Sequence, residues 1–196
     1  MEDIAAAMAS QARRDEQLVA RFQAGDARAF DELAAIHLGH LFALSVELLG
    51  NRDDAEEVTQ EVLIKLYHCI SRSRPPARLR AWLYRVCVNQ CHDWRRSQRR
   101  RPVMLEMTEG ADRALDPDPA NWAAGAALRE ALRSALWELP RQQRTAFLLC
   151  HFAGLSVNDI AAALGCAPGT VRVHLSRATA RLRDALSAEV NVDESV

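Results

Sequence analysis

The stretch from residue 156 to residue 183 constrains the fold most, because two helical patterns there flank a very short turn. Ser156, with Asp159 three residues later, is typical of a helix N-terminus. The apolar residues that follow have the spacing of one helix face: Val157, Ile160, Ala161 and Leu164. Gly165 then suits a left-handed C-terminal cap, and Pro168 suits the first position of a new helix.

The second of these helices has an apolar side and a basic side. Its predicted buried residues are Val171, Leu175, Ala178 and Leu182, and its free polar residues are Arg172, His174, Ser176, Arg177 and Arg181. This pattern predicts a helix-turn-helix, whose second helix fits the major groove of DNA. A helical hairpin with solvated arginines is the less specific interpretation of the same residues.

The chain as a whole has the composition of a globular protein, with 196 residues, 49% hydrophobic content and a formal net charge of −1. Helical periodicity persists along it and strand alternation does not, which predicts an all-α fold. No apolar run approaches the ~20 residues of a membrane span, and the N-terminus lacks a signal-peptide core. We therefore expect a cytoplasmic chain without membrane insertion.

The sequence of the first half of the chain predicts a helical domain over residues 15–101, which follows a disordered N-terminus of residues 1–14. Gly25 and Asp26 separate its first two apolar stripes, so we expect Asp26 to be the N-cap of the second helix.

A later helix begins at Asp53 or Asp54 and exposes acidic and amide side chains in its first turns: Asp53, Asp54, Glu56, Glu57, Gln60 and Glu61. Stabilisation of acids by the helix dipole explains the first turn, but this effect fades before Gln60 and Glu61. A face that binds a protein partner is the more specific interpretation.

Residues 72–101 contain ten arginines and a single acid, Asp93. Trp82, Tyr84 and Trp94 are interleaved with these arginines. Basic grooves with aromatic surfaces are typical of proteins that bind unpaired nucleic acid, because cations follow the phosphates and rings stack on bases. Asn89, one turn after Arg85, offers an amide donor and acceptor to a base edge. Packing in the core is the alternative role for Trp82 and Trp94.

Residues 102–125 are acidic, contain the proline-rich stretch DPDPANW and lack helical periodicity, which predicts a linker. Residues 126–188 then predict a second helical domain, in which two further helices give the helix-turn-helix a core. A tail of residues 189–196 follows.

Five cysteines without a CxxC pair are expected to be reduced thiols in a cytosolic chain. A metal or redox site is the alternative for the group His68, Cys69, Cys87, Cys91 and His92. There is no Gly-rich phosphate loop, zinc-hydrolase spacing or catalytic triad, so the sequence predicts neither an enzyme nor a cofactor.

In five stretches the chain resembles a bacterial RNA polymerase sigma factor of the extracytoplasmic-function (ECF, group 4) type. These stretches are AGDARAFDEL (24–33), DAEEVTQEVLIKLY (54–67), WLYRVCVNQCHDWRR (82–96), ELPRQQRTAFLL (138–149) and LSVNDIAAALGCAPGTVRVHLSRATARLR (155–183). The resemblance implies that residues 15–101 are sigma region 2 and residues 126–188 are sigma region 4. Such proteins are held inactive by an anti-sigma factor, and the acidic linker would follow the RNA exit path of the polymerase.

The resemblance also implies roles for residues. The β and β′ subunits of core RNA polymerase would be contacted by Asp54, Glu57, Gln60 and Glu61. The −10 element, with a flipped base near Asn89, would be melted and bound by Arg78, Arg80, Trp82, Tyr84, Arg85, Asn89, Arg95, Arg96, Arg99 and Arg100. The −35 element would be read by Thr170, Arg172, His174, Ser176, Arg177 and Arg181.

The chain departs from the family pattern at two points. Ser73, Arg74 and Pro75 occupy the place where many relatives have Phe-Arg-Gly, and Ser176 stands where some relatives have an aromatic residue. Two other functions are compatible with the helix-turn-helix. These are a repressor or activator that binds duplex DNA without polymerase, and an interaction protein that no longer binds DNA.

Overall fold

A computed structural model of the chain describes residues 2–72, 75–76, 78–98 and 122–193. Within these ranges every regular element is an α-helix: α1 (Glu2–Gln23), α2 (Arg28–Leu49), α3 (Arg52–Ser71), α4 (Leu79–Gln98), α5 (Trp122–Glu138), α6 (Arg141–His151), α7 (Val157–Leu164) and α8 (Pro168–Asp193). The chain divides into two compact units, unit 1 within residues 1–111 and unit 2 within residues 112–196. The prediction of an all-α protein with two helical domains is confirmed.

Three helices extend into segments that the sequence analysis expected to be irregular. α1 begins at Glu2, within the segment that was expected to be disordered. α5 begins at Trp122, inside the predicted linker, and α8 continues to Asp193, inside the predicted tail. Alanine is frequent in the N-terminal segment and at the start of α5, and it has the highest intrinsic helix propensity, whereas the prediction relied on apolar periodicity. The rest of the predicted linker lies outside the described residues.

Helix α2 is the central element of unit 1 and packs against α1, α3 and α4. Its buried leucines, which form much of the core, are Leu33, Leu41, Leu44 and Leu48. By length and composition α2 could also cross a membrane, the single such helix in the described part of the chain, which the sequence analysis did not recognise. In the fold these leucines contact neighbouring helices.

The start of α2 differs from the prediction at Asp26. Ala27 occupies the N-cap position and makes no side-chain cap hydrogen bond. Asp26 still serves the helix start, because its Oδ1 accepts a hydrogen bond from the backbone N–H of Arg28 at 3.1 Å. The other carboxylate oxygen is held by Arg21 at 2.6 Å, which ties the turn to the end of α1.

Unit 2 contains the predicted helix-turn-helix in α7 and α8. The Ser156 hydroxyl accepts a hydrogen bond from the backbone N–H of Asp159 at 3.2 Å. Gly165 caps α7 with a left-handed φ of 65°, and Pro168 is the first residue of α8. On α8, Val171, Ala178 and Leu182 are buried as predicted, while Leu175 is half-buried. Helices α5, α6 and α7 all pack against α8 and supply its core.

Candidate nucleic-acid and partner interfaces

One candidate interface is an exposed face on the first turns of α3. Asn51 caps this helix by accepting a hydrogen bond from the backbone N–H of Asp54 at 3.0 Å, and Asp54 itself is half-buried. The remaining predicted residues are all exposed: Glu57, Gln60 and Glu61. Residues at this spacing lie on one side of a helix, opposite buried Val58 and Val62. The structure therefore brings the three residues together on one acidic surface.

The sequence analysis missed an apolar residue on this surface. Ile64 is 50% exposed and follows Gln60 by four residues and Glu61 by three, so it shares their face. No role was predicted for Ile64 from the sequence. Helical register would have identified Ile64, because it does not continue the buried series that includes Val58, Val62 and Leu66. We call Glu57, Gln60, Glu61 and Ile64 the α3 face.

A second candidate interface lies along α4. The helix buries Leu83, Cys87, Val88 and Cys91 against the core of unit 1. On its outer side four polar and aromatic residues recur at intervals of three, four and seven: Trp82, Arg85, Asn89 and Arg96. Arg85, Asn89 and Arg96 are exposed, and Trp82 is half-buried. We call these four residues the α4 stripe. Arg78, one turn before Trp82, is exposed at the entrance to the helix.

Tyr84 does not belong to this outer surface, which corrects the sequence prediction. Its ring is 2% exposed and lies in the core. The guanidinium carbon of Arg80 is 5.8 Å from the ring centroid, and burial raises the pKa of the Tyr84 hydroxyl. A ring buried to this degree offers no face to a nucleic-acid base. Trp94, which shared the same prediction, is half-buried, as Trp82 is.

Two arginines assigned to −10 DNA make contacts within unit 1. Arg95 is half-buried, and its Nη2 lies 3.4 Å from the carbonyl oxygen of Leu49, to which it donates at the end of α2. Arg80 is also half-buried, and its charge adds to burial in lowering the pKa of His40 on α2. Arg95 therefore connects α4 to α2, and Arg80 lies near enough to α2 for its charge to act on His40. Arg99 and Arg100 lie outside the described residues.

The third candidate interface is the solvent side of α8. Thr170, Ser176 and Arg177 are exposed on the side opposite buried Val171 and Ala178. Arg172 is exposed on one flank of this side. These four predicted residues thus lie on surfaces that duplex DNA could contact.

Two further predicted residues of α8 have other surroundings. His174 is half-buried, and its Nδ1 is buried without a hydrogen-bond partner in the described structure. Arg181 is exposed but lines a cleft between α5 and α8 together with Glu138 and Asp184. Two carboxylates therefore share its surroundings, and it lies at the edge of the candidate interface.

The cysteines divide into two groups. Cys87 and Cys91 are buried one turn apart on α4, and the Sγ of Cys87 lies 3.3 Å from the hydroxyl of Ser45. A hydrogen bond to Cys87, together with burial, raises the pKa of the Cys91 thiol far above its usual value. Cys69, Cys150 and Cys166 are half-buried. Among the described residues no three His, Cys, Asp or Glu side chains are grouped so that they could hold a metal ion.

Family models match both units of the chain. Residues 33–101 match the model for Sigma-70 region 2, and residues 129–182 match the model for Sigma-70, region 4. The first range contains the α3 face and the α4 stripe, and the second contains the solvent side of α8.

Two curated relatives agree with these matches. The RNA polymerase sigma-H factor of Pseudomonas aeruginosa is 33% identical over 181 residues, covering 88% of this chain and 94% of that protein. The ECF RNA polymerase sigma factor SigE of Mycolicibacterium smegmatis is 36% identical over 160 residues. That match covers 81% of this chain but 62% of SigE, so the chain spans less than two thirds of this relative.

This chain is also similar in fold to a solved structure, the co-crystal structure of the sigma factor RpoE in complex with the anti-sigma factor NepR from Bartonella quintana. The match has a TM-score of 0.64 and 27% sequence identity, and it covers 82% of this chain and 98% of the other.

Proposed function

The chain belongs to the sigma-70 family, in its ECF type, and from this premise we propose how its residues divide the work of promoter recognition. It is a transcription initiation factor that binds core RNA polymerase and promoter DNA. In our proposal unit 1 holds the −10 element as unpaired DNA. Unit 2 reads the −35 element as an intact duplex.

The α4 stripe supports the first assignment. Arg85 and Arg96 would contact phosphates, Trp82 would stack on a base, and Asn89 would hydrogen-bond the edge of a flipped base. Flipping a base out of its stack costs a few kcal/mol, which stacking and pocket hydrogen bonds would offset. Arg78 would extend the basic track at the helix entrance, and Arg99 and Arg100 are proposed to extend it beyond Gln98.

The exposed side of α8 supports the second assignment. Arg177 lies on the side opposite the core, where a guanidinium can donate two hydrogen bonds to guanine in the major groove. Thr170 and Ser176, both exposed, would make further contacts to base edges or phosphates. Arg172 and Arg181 are better placed for the phosphate backbone at the flanks, and His174 for orienting the helix.

The α3 face supports contact with polymerase. Its three polar residues suit a basic partner surface, and Ile64 adds an apolar contact at its edge. We propose that the β and β′ subunits are bound here, with Asp54 at the margin. An anti-sigma factor is proposed to compete for the same surface, because a relative of similar fold is bound to one in its solved structure. We further infer that the chain acts in the cytoplasm, needs no cofactor and leaves catalysis to the polymerase.

The observation that carries this proposal is the presence, in one chain, of the outward-facing α4 stripe and the outward-facing recognition helix α8. The test is in vitro transcription with purified core polymerase and this chain on genomic fragments, followed by mapping of start sites. We expect initiation at a small set of promoters that share −35 and −10 elements. Initiation at no specific site would contradict the proposal.

A second assay separates this function from that of a repressor or activator. Direct binding of the chain to core polymerase, measured without DNA, is expected only for the proposed function. The matched variant is Ile64→Asp, which adds a charge at an exposed position and should weaken this binding without unfolding unit 1.

A further inference from the structure

The solvent side of α8 carries an apolar residue that packing within unit 2 does not explain. Val173 is 46% exposed, whereas Val171, Ala178 and Leu182 of the same helix are at most 4% exposed. Nearly half of the surface of Val173 is therefore open to solvent. An apolar group outside the chain could contact this exposed surface.

The position of Val173 on the helix suggests which group this is. It lies in the second turn of α8, three residues before Ser176 and four before Arg177, so the three side chains share one face. The N-terminal turns of a recognition helix are the part that contacts base edges in the major groove. The apolar group that bases present in this groove is the 5-methyl group of thymine.

A neighbouring glycine supplies an independent observation. Gly169 precedes Val173 by four residues, and a Cβ added there would meet nothing within 4 Å. Its φ also lies outside the left-handed region that favours glycine. Neither packing nor backbone conformation therefore requires a glycine, which is unfavourable in helices compared with alanine. A position without a side chain does allow another molecule to approach the backbone closely.

We propose that Val173 recognises a thymine of the −35 element by van der Waals contact with its 5-methyl group, and that Gly169 leaves the approach to this methyl group open. The inference rests on the proposed function of α8 as the −35 reader. Side chains one helical turn apart are roughly 5–6 Å apart, and base pairs rise about 3.4 Å. The thymine should therefore lie within about two base pairs of the guanine bound by Arg177.

The experiment removes only the methyl group. The full chain is assembled with core polymerase, and the −35 thymines of a promoter found by transcription mapping are replaced one at a time by deoxyuridine. Affinity is measured by competition binding. We expect a loss of about fourfold at one thymine, the value for exposing one buried methyl group, and no change at the others. In Val173→Ala the intact and substituted promoters should bind equally.

Arg177→Ala is the matched control on the same face. It should weaken binding to the promoter but keep the ratio between thymine and deoxyuridine. Because Val173 is nearly half exposed, Val173→Ala should have the same thermal unfolding curve as the wild-type chain.

Two results would overturn the inference: a wild-type holoenzyme that is indifferent to every deoxyuridine, or Val173→Ala that keeps the full thymine preference. A scrambled −35 element distinguishes these results from a failure of the proposed function. If scrambling costs no affinity, α8 does not read the −35 element at all. If scrambling costs affinity but deoxyuridine does not, the methyl contact alone is wrong.

Discussion

Helices α4 and α8 are both basic and both proposed to bind DNA, yet the fold uses them differently. On α4, one predicted contact residue, Tyr84, lies in the core, and three are half-buried: Arg80, Trp82 and Arg95. On α8, five of the six predicted residues are exposed, and only His174 is half-buried. A basic helix can therefore use some of its arginines for contacts within its own domain. Register relative to the core decides which residues are left for DNA.

Tyr84 illustrates this rule. It precedes Val88 by four residues and Cys91 by seven, which is the spacing of one helix face, and both of these residues are buried. Tyr84 was predicted to contact DNA because of its aromatic chemistry, although its register already indicated the core. Trp82, two residues earlier, points to another side of the helix and stays half-exposed.

We expect the largest effect from substitution of Tyr84, which tests whether this residue belongs to the core. Tyr84→Ala should lower the free energy of unfolding of unit 1 by about 3–5 kcal/mol, as removal of a buried aromatic ring does, measured by urea denaturation. Tyr84→Phe should retain most of the stability and melt promoter DNA normally. If Tyr84→Phe instead abolished DNA melting while the protein stayed folded, α4 would resemble α8 more closely than we conclude.

We expect the next largest effect from substitution of Arg177, which tests whether this residue recognises the sequence of the −35 element. Arg177→Ala should weaken binding to the cognate −35 element by about 1–3 kcal/mol, because a bidentate contact to guanine is lost. Binding to a scrambled −35 element should change much less, in the same competition assay. Arg172→Ala is the matched control on the flank of α8 and should weaken both sites similarly. Equal losses for Arg177→Ala on the two sites would contradict its role in specificity.

Local sequence signals predicted the helix-turn-helix most accurately. Ser156, Gly165 and Pro168 each act within a few residues, and the structure places all three as predicted. The all-α fold followed from helical periodicity, and the two domains followed from the acidic, proline-rich stretch between them. The helix starts at Glu2 and Trp122 did not, because alanine-rich segments form helix without an apolar stripe, and the continuation of α8 to Asp193 carries no such alanine signal.

The candidate sites were predicted less completely, for two physical reasons. The contact between Arg95 and the carbonyl of Leu49 joins residues 46 positions apart, which no local pattern encodes. Ile64 and Val173 are apolar but exposed, and no role was predicted for either residue from the sequence. Register was available for both and would have placed them on the α3 face and the solvent side of α8.

A smaller effect is expected at Asn89 of the α4 stripe. Asn89→Ala should slow open-complex formation by roughly tenfold, about 1.4 kcal/mol, while promoter binding changes little, because its amide would bond a base only after flipping. Permanganate footprinting measures the melted thymines. Gln90→Ala is the matched control, since the Gln90 side chain accepts a hydrogen bond from Lys65 at 2.5 Å instead. Normal melting in Asn89→Ala would count against the flipped-base contact.

We expect the smallest effects from substitution of two adjacent arginines of α4, Arg95 and Arg96. Arg96 is exposed, so Arg96→Ala should remove about one phosphate contact and reduce the slope of log affinity against log salt by about 0.7–0.9. Arg95 donates to the Leu49 carbonyl, so Arg95→Ala should leave this slope unchanged and lower stability by about 1 kcal/mol. Salt titration of promoter binding and urea denaturation give the two readouts. Reversed results would mean that Arg95 releases the Leu49 carbonyl and binds DNA, as the exposed arginines of α8 are proposed to do.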